Sequence, residues 1–591
     1  MSYRAPVKDM LFVMKELAGL DAVAQFPGHE DAGVDTAAAV LEECARFNEG
    51  VVAPLNWPSD QLPSSFSGGV VTTSAGFKQA FRQFAEGGWQ GLQHPVEFGG
   101  QGLPKTIHAA CSEMVNSASL SFALCPLLTD GAIEALLTAG SPAQQSNFIP
   151  KMIGGSWTGS MNLTEPQAGS DLSLVRTRAE PQPDGSYKLF GTKIFITYGE
   201  HDLADNIVHL VLARVSGAPE GVKGISLFIC PKVLADGTRN DVHCVSIEHK
   251  LGIKASPTAV LQYGDHGGAV AELIGQENRG LETMFIMMNA ARFGVGVQGI
   301  ALAERAYQQA VQYARDRVQS RPVDGSLPGA GAIIHHPDVR RMLMTMRAHT
   351  EGCRAMALVG AAAYDAAHAH PESEVRQQNQ AFYDFLVPLI KGLSTEMALE
   401  VASLGVQVHG GMGFIEETGA AQYLRDAKIL TIYEGTTAIQ ANDLVGRKTA
   451  RDGGRVAHAI GAQIEGTVGE LAARDSAACR SMGRELAVGR RAFGDAVDYI
   501  VAQSKANPNA AFAGSVPYLM LAATVVAGWQ MARALMIAED RLAEGVDTEF
   551  MRAKIATARF YGEHILNKVA GLRNSIVDGA ESVTALALES F

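Results

Sequence analysis

Apolar residues in the first part of the chain recur every three or four positions, with polar residues between them. Clear examples are segments 34–56 (VDTAAAVLEECARFNEGVVAPLN) and 77–92 (FKQAFRQFAEGGWQGL). This spacing gathers the apolar side chains on one face of an α-helix. The pattern therefore predicts a helical N-terminal domain over residues 1–155.

The pattern then changes to short runs of β-branched and aromatic residues. They include YKLFGTKIFIT, NIVHLVLARV, GISLFIC and VHCVSI, and turn-forming segments such as PDGS, GAPEG and ADGTRND separate them. Short strands divided by polar turns are typical of a compact β-barrel or sandwich. We expect this β domain over residues 156–278.

Long helical patterns return after the strands, beginning with MFIMMNAARFGVGVQGIALAERAYQQAVQYARDR. They predict a helical bundle over residues 279–450. The segment RDGG at 451–454 is a plausible linker into a further helical domain, over residues 451–591. The predicted fold class is therefore α+β and mostly α, with four domains.

One segment has the length of a membrane span. From Asn507 to Ala532 there is no charged side chain, and a span needs about 20 apolar residues. Polar and helix-breaking residues such as Ser515, Pro517 and Gln530 interrupt the segment. This content favours a buried interdomain or subunit-interface helix over an integral span, and it leaves peripheral membrane contact open.

Composition narrows the class of protein. The formal net charge of −13 argues against a nucleic-acid binder, which needs a basic surface. The seven cysteines are scattered and form no CxxC pair, so neither a disulfide framework nor a zinc site is indicated.

The apolar run near the N-terminus is too short for a signal peptide. We therefore expect a cytoplasmic protein.

Metal binding has one weak candidate, the segment HHPDVRR at 335–341. Two adjacent histidines point in different directions, and no second cluster of ligands matches them. We predict no metal.

The segment TIYEGTTAIQ at 431–440 carries the clearest chemistry. It places one carboxylate, Glu434, between the aromatic Tyr433 and a Gly435–Thr436 turn that lets backbone approach a ligand closely. If burial raises its pKa, such a carboxylate can act as a general base beside a flat cofactor. Taken alone, a glutamate before a glycine also fits a solvated turn.

Two further tracts have small residues that let backbone approach a ring or a phosphate. LTEPQAGSD at 163–171 lies where the first barrel strand is expected to end, and VQVHGGMGF at 406–414 offers paired glycines. Taken alone, the first tract is better explained as a plain turn around Pro166 and Gly169, and a lone GGxG motif is weak evidence for a phosphate site. His409 in the second tract fits a packing or hydrogen-bonding role better than a proton shuttle.

Together these tracts, in this order, resemble the flavin-dependent acyl-CoA dehydrogenases, and the resemblance covers residues 80–448. It implies that Glu434 removes the α proton of an acyl-CoA while FAD accepts the β hydride, yielding a trans-2-enoyl-CoA. No amino-acid side chain accepts hydride, so this reaction needs a cofactor. The C-terminal helices resemble those of a larger subgroup, which implies a homodimer.

The resemblance also assigns residues to FAD and to the substrate. The FAD residues it implies are Leu163, Thr164, Phe195, Thr197, Arg317, Gln319, Gln407, Gly410, Gly411 and Thr436. The substrate residues it implies are Ser170, Arg292, Tyr433 and Gly435. In a regularly alternating strand, Phe195 and Thr197 point to the same face. Arg317, at a helix C-terminus, equally suits interaction with the helix dipole, and Arg292 equally suits a buried structural ion pair.

Two positions depart from the family pattern. Ser320 and Arg321 replace the usual Phe-Gly beside Arg317, a departure in the segment that the family places at the adenine pocket. Met161 stands where many members have an aromatic residue. FAD that contacts Gln407, Gly410 and Gly411 is expected to be bound mainly to a neighbouring subunit.

The expected function is dehydrogenation of a medium- or long-chain fatty acyl-CoA, the first step of β-oxidation, with electron-transfer flavoprotein as the electron acceptor. The larger subgroup also includes 3-methylmercaptopropionyl-CoA dehydrogenases, and that substrate is the alternative. An acyl-CoA oxidase and a non-catalytic CoA-binding protein are further alternatives. An intact Glu434 with Thr164 and Thr197 argues against the last of these.

Overall fold

The computed structural model describes residues 3–591, except for the side chains of residues 286 and 287. The N-terminal part is mainly helical, as its apolar periodicity predicts. Its helices are α1 Val7–Phe12, α2 Leu20–Val23, α3 Val34–Phe47, α4 Asn56–Gln61, α5 Phe77–Glu86, α6 Lys105–Ala118, α7 Leu120–Ala139 and α8 Pro142–Ile153. A small hairpin of β1 Ser65–Ser67 and β2 Val70–Thr72 was not predicted, because three-residue strands are too short to show alternation.

The strand-rich region forms the expected barrel. Its strands are β3 Trp157–Asn162, β4 Arg178–Pro181, β5 Tyr187–Thr197, β6 Asn206–Val215, β7 Ser226–Pro231, β8 Val242–Ile247, β9 Thr258–Tyr263 and β10 Ala269–Ile274. The strand order is β10-β7-β6-β4-β5, and β10 also pairs with β5, which closes the ring. Strand β3 joins β6 in parallel, and β9 and β8 extend from β5.

Strand β6 explains why NIVHLVLARV has apolar residues at most positions and no apolar–polar alternation. Its side chains Val208, Leu210 and Leu212 pack into a core shared with α7 and α8. Its alternate side chains Val211 and Ala213 pack inside the barrel. A strand buried on both faces is apolar at most positions and does not alternate, and its one buried histidine, His209, is hydrogen-bonded to Ser160.

The rest of the chain is helical. Its helices are α9 Gly280–Asp316, α10 Pro337–Ala369, α11 Ser373–His409, α12 Ala420–Lys428, α13 Thr437–Asp443, α14 Arg455–Ala472, α15 Ala477–Ala506, α16 Pro508–Ala513, α17 Ser515–Ala543, α18 Thr548–His564, α19 Val569–Val577 and α20 Ala580–Val583. The order of helices, barrel and helices confirms the predicted α+β, mostly α fold.

The chain forms two compact units. One unit takes in the chain up to Arg46, Pro104–Ser117 and Arg292–Phe591, and the other takes in Phe47–Leu103 and Ala118–Ala291. We call them the helical unit and the barrel unit. The division into four sequence domains stays a prediction.

Three helices of the described chain are long and apolar enough to cross a membrane by length and composition: α7, α9 and α17. Helix α17 contains most of the uncharged segment that begins at Asn507. In its most apolar window 83% of the residues are buried inside the protein. This burial supports a buried helix, because the apolar side chains are already covered by protein.

The helical unit holds a buried group of charges that we call the Arg354 cluster: Asp9, Glu113, Glu304, Glu351, Arg354 and Lys554. The Arg354 guanidinium contacts Glu113 at 2.5 Å, Glu304 at 2.7 Å and Asp9 at 2.8 Å. The Lys554 ammonium contacts Asp9 at 2.5 Å and Glu351 at 2.8 Å. The cluster therefore ties α1, α6, α9, α10 and α18 together.

Candidate functional site

The Glu434 turn lies between a short 3₁₀ helix ending at Thr431 and α13. Glu434 has φ +53° and Gly435 has φ +89°, both in the left-handed region. A Cβ on Gly435 would lie 2.8 Å from the side-chain amide nitrogen of Gln440, and the positive φ of Gly435 disfavours any residue with a side chain. A glutamate in this conformation carries backbone strain, which is typical of functional sites.

The surroundings of Glu434 shift the pKa of its carboxyl in the direction that a general base requires. Its side chain is half-buried. Burial raises the pKa of the Glu434 carboxyl above its ordinary value, and the nearby cations of Arg292 and Lys391 oppose that rise. A carboxylate whose pKa is raised toward neutrality is a better proton acceptor at physiological pH.

Arg292 is buried, with only 2% of its surface exposed. Its Nη1 lies 3.4 Å from Oδ2 of Asp443, and Asp443 also pairs with Arg447. The structure therefore shows the ion pair of one alternative, and it also places the guanidinium where its charge acts on Glu434. Its role toward the substrate stays a prediction.

Tyr433 and Thr436 flank the turn with hydroxyl groups. The Tyr433 hydroxyl donates to Oε1 of Gln298, and Gln298 in turn donates to Oδ1 of Asn116 at 3.1 Å. The Thr436 hydroxyl accepts from the backbone N–H of Ile439 at 3.3 Å and so caps α13. An accepting hydroxyl keeps its own hydrogen to donate, so the cap is compatible with the flavin contact predicted for Thr436.

Sequence reasoning missed Lys391, which is wholly buried in α11. Its ammonium donates to the backbone carbonyls of Leu430 at 2.7 Å and Gly435 at 2.8 Å. The sequence does contain a signal for this residue, namely one lysine inside the apolar tract FLVPLIKGL. A charge at a core position needs a specific partner, so such a lysine indicates a buried polar contact.

In the barrel unit, Leu163 and Thr164 follow directly after β3 and are half-buried. Lys193 donates to the Leu163 carbonyl at 3.0 Å and to Glu165 at 2.8 Å. Ile194 N–H donates to the Thr164 carbonyl at 2.9 Å. The two residues predicted to lie near the flavin are thus fixed to β5.

The buried ion pair between Glu165 and Lys193 was not predicted from the sequence. Burial opposes ionisation of Glu165, yet the Lys193 cation and hydrogen bonds from Thr177 and from the Arg176 backbone lower its pKa to about 2. Burial lowers the pKa of the Lys193 ammonium to about 8. Glu165 lies inside the quoted tract LTEPQAGSD, but its partner is 28 positions away in sequence.

Phe195 and Thr197 lie on either side of the buried Ile196 on β5, and their role beside the flavin stays a prediction. The strand is nevertheless irregular, since its register with β9 shifts between Lys193 and Ile196. Phe195 has φ +60° and is 59% exposed. The shift is a β-bulge that aims a large aromatic ring out of the barrel. Ser170 is exposed on the loop after β3.

The predicted dinucleotide residues of the helical unit lie on its surface. Gln407 is exposed near the end of α11, and Gly410 and Gly411 follow with nothing within 4 Å of an added Cβ. Arg317 and Gln319 are exposed just after α9. This exposure leaves the backbone and the side chains accessible to a ligand.

His409 has a structural role. It is buried, its ring stacks on Tyr313 with centroids 4.3 Å apart, and its Nδ1 lies 2.7 Å from the Gly405 carbonyl. Burial lowers its pKa. These contacts fit the packing role that the sequence favours.

One group of side chains in the described chain has the spacing of metal ligands: Asp241, His243 and His266. The Asp241 carboxylate also accepts the backbone N–H groups of His266 and Gly268. The His266 side chain is 76% exposed. Exposed groups of this kind commonly hold no ion, and we assign no metal here.

Four family models match the chain. They are "Acyl-CoA dehydrogenase, N-terminal domain" at residues 71–156, "Acyl-CoA dehydrogenase, middle domain" at 160–265, "Acyl-CoA dehydrogenase, C-terminal domain" at 278–448 and "Acetyl-CoA dehydrogenase C-terminal like" at 458–587. The last match lies in the C-terminal extension.

Full-length relatives are similar as well. The chain is 53% identical to 3-methylmercaptopropionyl-CoA dehydrogenase of Ruegeria pomeroyi over 100% of both chains. It is 35% identical to the broad-specificity linear acyl-CoA dehydrogenase FadE5 of Mycobacterium tuberculosis over 97% of both. Among solved structures, an FAD complex from Bacillus anthracis has the same fold, with a TM-score of 0.74 at 22% identity over 97% of this chain and 93% of that one.

Proposed function

This chain belongs to the acyl-CoA dehydrogenase family, and from that premise we propose that it dehydrogenates 3-methylmercaptopropionyl-CoA. As a family member it is a flavin-dependent oxidoreductase that uses FAD and acts on an acyl-CoA. The observation that carries the substrate proposal is 53% identity over the full length of a relative with that activity. This identity favours the thioether substrate over the medium- or long-chain fatty acyl-CoA that was the main expectation from the sequence.

The residues present fit FAD. The barrel unit offers an exposed aromatic ring at Phe195 and hydroxyl groups at Thr164 and Thr197. The helical unit offers exposed glycines at Gly410 and Gly411, with open space where a side chain would stand, so a pyrophosphate can approach the backbone there. The Gly410 N–H itself donates to the Gln407 carbonyl. We propose that Leu163 and the named barrel-unit residues contact FAD. We propose that Arg317, Gln319 and Gln407, with the two glycines, contact FAD bound mainly to a neighbouring subunit, and that Thr436 contacts the flavin.

The proposed reaction removes one proton and one hydride. Glu434 accepts the α proton, whose acidity the thioester carbonyl increases, and the turn fixes the carboxylate for that transfer. When bound, FAD supplies the acceptor for the β hydride. The substrate loses two hydrogens and becomes the α,β-unsaturated thioester, while its methylthio group stays intact.

We expect kcat/KM to be at least about tenfold higher with 3-methylmercaptopropionyl-CoA than with pentanoyl-CoA, because a fitted pocket can discriminate on this scale. Pentanoyl-CoA is the matched control, since a methylene replaces the sulfur at the same position in the chain. Butyryl-, octanoyl- and palmitoyl-CoA complete the panel, which is measured by steady-state kinetics. Equal values for the thioether and pentanoyl-CoA, or a higher value for octanoyl-CoA, would support a straight-chain function instead.

We propose electron-transfer flavoprotein as the electron acceptor. The reduced cofactor needs an oxidant after each turnover, and an oxidase would use oxygen instead. The measurement is oxygen consumption by the enzyme during turnover, with and without added electron-transfer flavoprotein. Rapid turnover only in the presence of electron-transfer flavoprotein supports the proposal. Formation of one hydrogen peroxide per molecule of product when electron-transfer flavoprotein is absent contradicts it.

We also propose a homodimer in the cytoplasm. The homodimer is supported by the exposure of Gln407, Gly410 and Gly411, which the family resemblance assigns to FAD bound mainly to a neighbouring subunit. The cytoplasmic location rests on the scattered cysteines, which favour a reducing compartment.

A further inference from the structure

Lys391 is a charged side chain in the interior of the helical unit, with 0% of its surface exposed. Removing an ammonium group from water costs free energy, and an apolar residue of similar size would avoid that cost. In the described chain, both of its hydrogen bonds end on backbone carbonyls, those of Leu430 and Gly435. These carbonyls lie on either side of Glu434 in the sequence.

Gln440 holds the same turn from α13. Its amide nitrogen lies 3.3 Å from the Glu434 carbonyl and 3.2 Å from the Gly435 carbonyl. The Gly435 carbonyl therefore accepts from both Lys391 and Gln440. A glutamate with φ +53° is held against its own backbone preference, so surrounding contacts must fix it.

The charged groups that act on Lys391 are Glu434, Glu396 and Arg292. Glu396 accepts the Thr437 hydroxyl. Burial lowers the pKa of the Lys391 ammonium to about 8, and the two carboxylates oppose that fall. Below that pH the side chain is a cation that lowers the pKa of Glu434, as Arg292 also does.

We propose that Lys391 is a positioning residue, which with Gln440 fixes the left-handed turn of the base and supplies positive charge beside its carboxylate. The inference rests on the proposed function because it takes Glu434 as the base. It is independent of the acyl group. One ammonium thus couples the geometry of the turn to the ionisation of the base.

The test is Lys391→Met, a change of similar length that removes the donors and the charge. We expect kcat to fall about 10- to 100-fold through misplacement of the base, with KM within about threefold of wild type. The acidic limb of the kcat/KM profile moves to higher pH. This sign follows because loss of a cation raises the pKa of Glu434, so deprotonation of the base needs a higher pH.

Two variants separate positioning from general damage. Lys554→Met removes an equally buried lysine of the Arg354 cluster, and we expect lower stability with the acidic limb unmoved. Gln440→Leu removes neutral donors from the turn, and we expect kcat to fall about tenfold with the limb again unmoved. If Lys391→Met yields no FAD-bound protein, the test rests on Gln440→Leu. An unchanged kcat in Gln440→Leu then overturns the inference.

All variants are assayed as FAD-bound enzyme with 3-methylmercaptopropionyl-CoA and with butyryl-CoA. An unmoved acidic limb and a near-normal kcat in Lys391→Met overturn the inference, as does an equal shift of the limb in Lys554→Met. Failure of the substrate proposal gives a different result from failure of the Lys391 inference. In that case the wild-type enzyme acts on butyryl-CoA and not on 3-methylmercaptopropionyl-CoA. The Lys391 comparison would still be made with butyryl-CoA.

Discussion

Glu434→Gln is expected to lower kcat/KM by about 10⁴-fold, at the upper end of what a general base contributes. Glutamine has nearly the same size and shape, so the turn and its hydrogen bonds are retained. What it lacks is a group that can accept the α proton. We therefore expect the variant to keep its yellow colour and to bind acyl-CoA normally.

The measurement is anaerobic single turnover, in which loss of flavin absorbance reports hydride transfer directly. Glu400→Gln is the matched control, since Glu400 is an exposed carboxylate on α11, and we expect it to turn over at the wild-type rate. Flavin reduction by Glu434→Gln at close to the wild-type rate would refute the base assignment. Loss of FAD from the variant would show instead that the glutamate is needed for structure.

The wild-type pH profile is a check on the same residue. Because burial raises the pKa of Glu434, the acidic limb of kcat/KM is expected above the ordinary glutamate range. The base acts only when deprotonated, so activity falls as pH drops through that pKa.

Arg354→Met is expected to lower the free energy of unfolding by about 3–5 kcal/mol, the scale for removing one partner of a buried ion pair. Arg354 contacts three carboxylates. Asp9 keeps Lys554 as a partner after the substitution, but Glu113 and Glu304 lose their guanidinium. Methionine fills much of the space without offering a charge, so the loss comes mainly from uncompensated carboxylates.

The measurement is urea unfolding of FAD-saturated enzyme at fixed protein concentration, because a bound ligand shifts apparent stability. Lys8→Met is the matched control. The Lys8–Asp547 pair is exposed, with Lys8 at 66%, and such pairs contribute about 0–1 kcal/mol. Equal effects of the two substitutions would contradict a stabilising role for the Arg354 cluster.

The stability deficit of Arg354→Met should also depend on pH. Burial raises the pKa of Glu113, and Arg354 opposes that rise. Without the arginine the folded-state pKa rises further above the unfolded value. A group with a raised folded-state pKa loses its stabilising contribution as pH rises through that pKa. The deficit is therefore expected to be larger at pH 8 than at pH 5.

The order of elements was predictable because hydrophobic periodicity is a local property. NIVHLVLARV predicted a strand and became β6, and the helical tract from Met284 became part of α9. The β1–β2 hairpin was not predictable, because its strands are too short to carry a period. The bulge at Phe195 was hidden as well, since a register shift depends on the neighbouring strand β9.

The candidate site divides in the same way. Glu434, Tyr433 and Gly435 are adjacent in sequence, so their motif could be recognised directly. Lys391 contacts the turn from 44 positions away at Gly435, and Lys193 reaches Glu165 across 28. These contacts exist only after the chain has folded, and no local pattern names the partner of a buried lysine.

The sequence by itself determined the kinds of element and their order, which depend on neighbouring residues. Its short motifs, taken together, indicated the family and gave one candidate for the base. Only the tertiary structure decided the left-handed conformation of Glu434, the cations that act on its pKa and the carbonyl partners of Lys391. The physical reason is that burial and Coulomb interactions depend on distances in space, and those distances are set by packing between elements far apart along the chain.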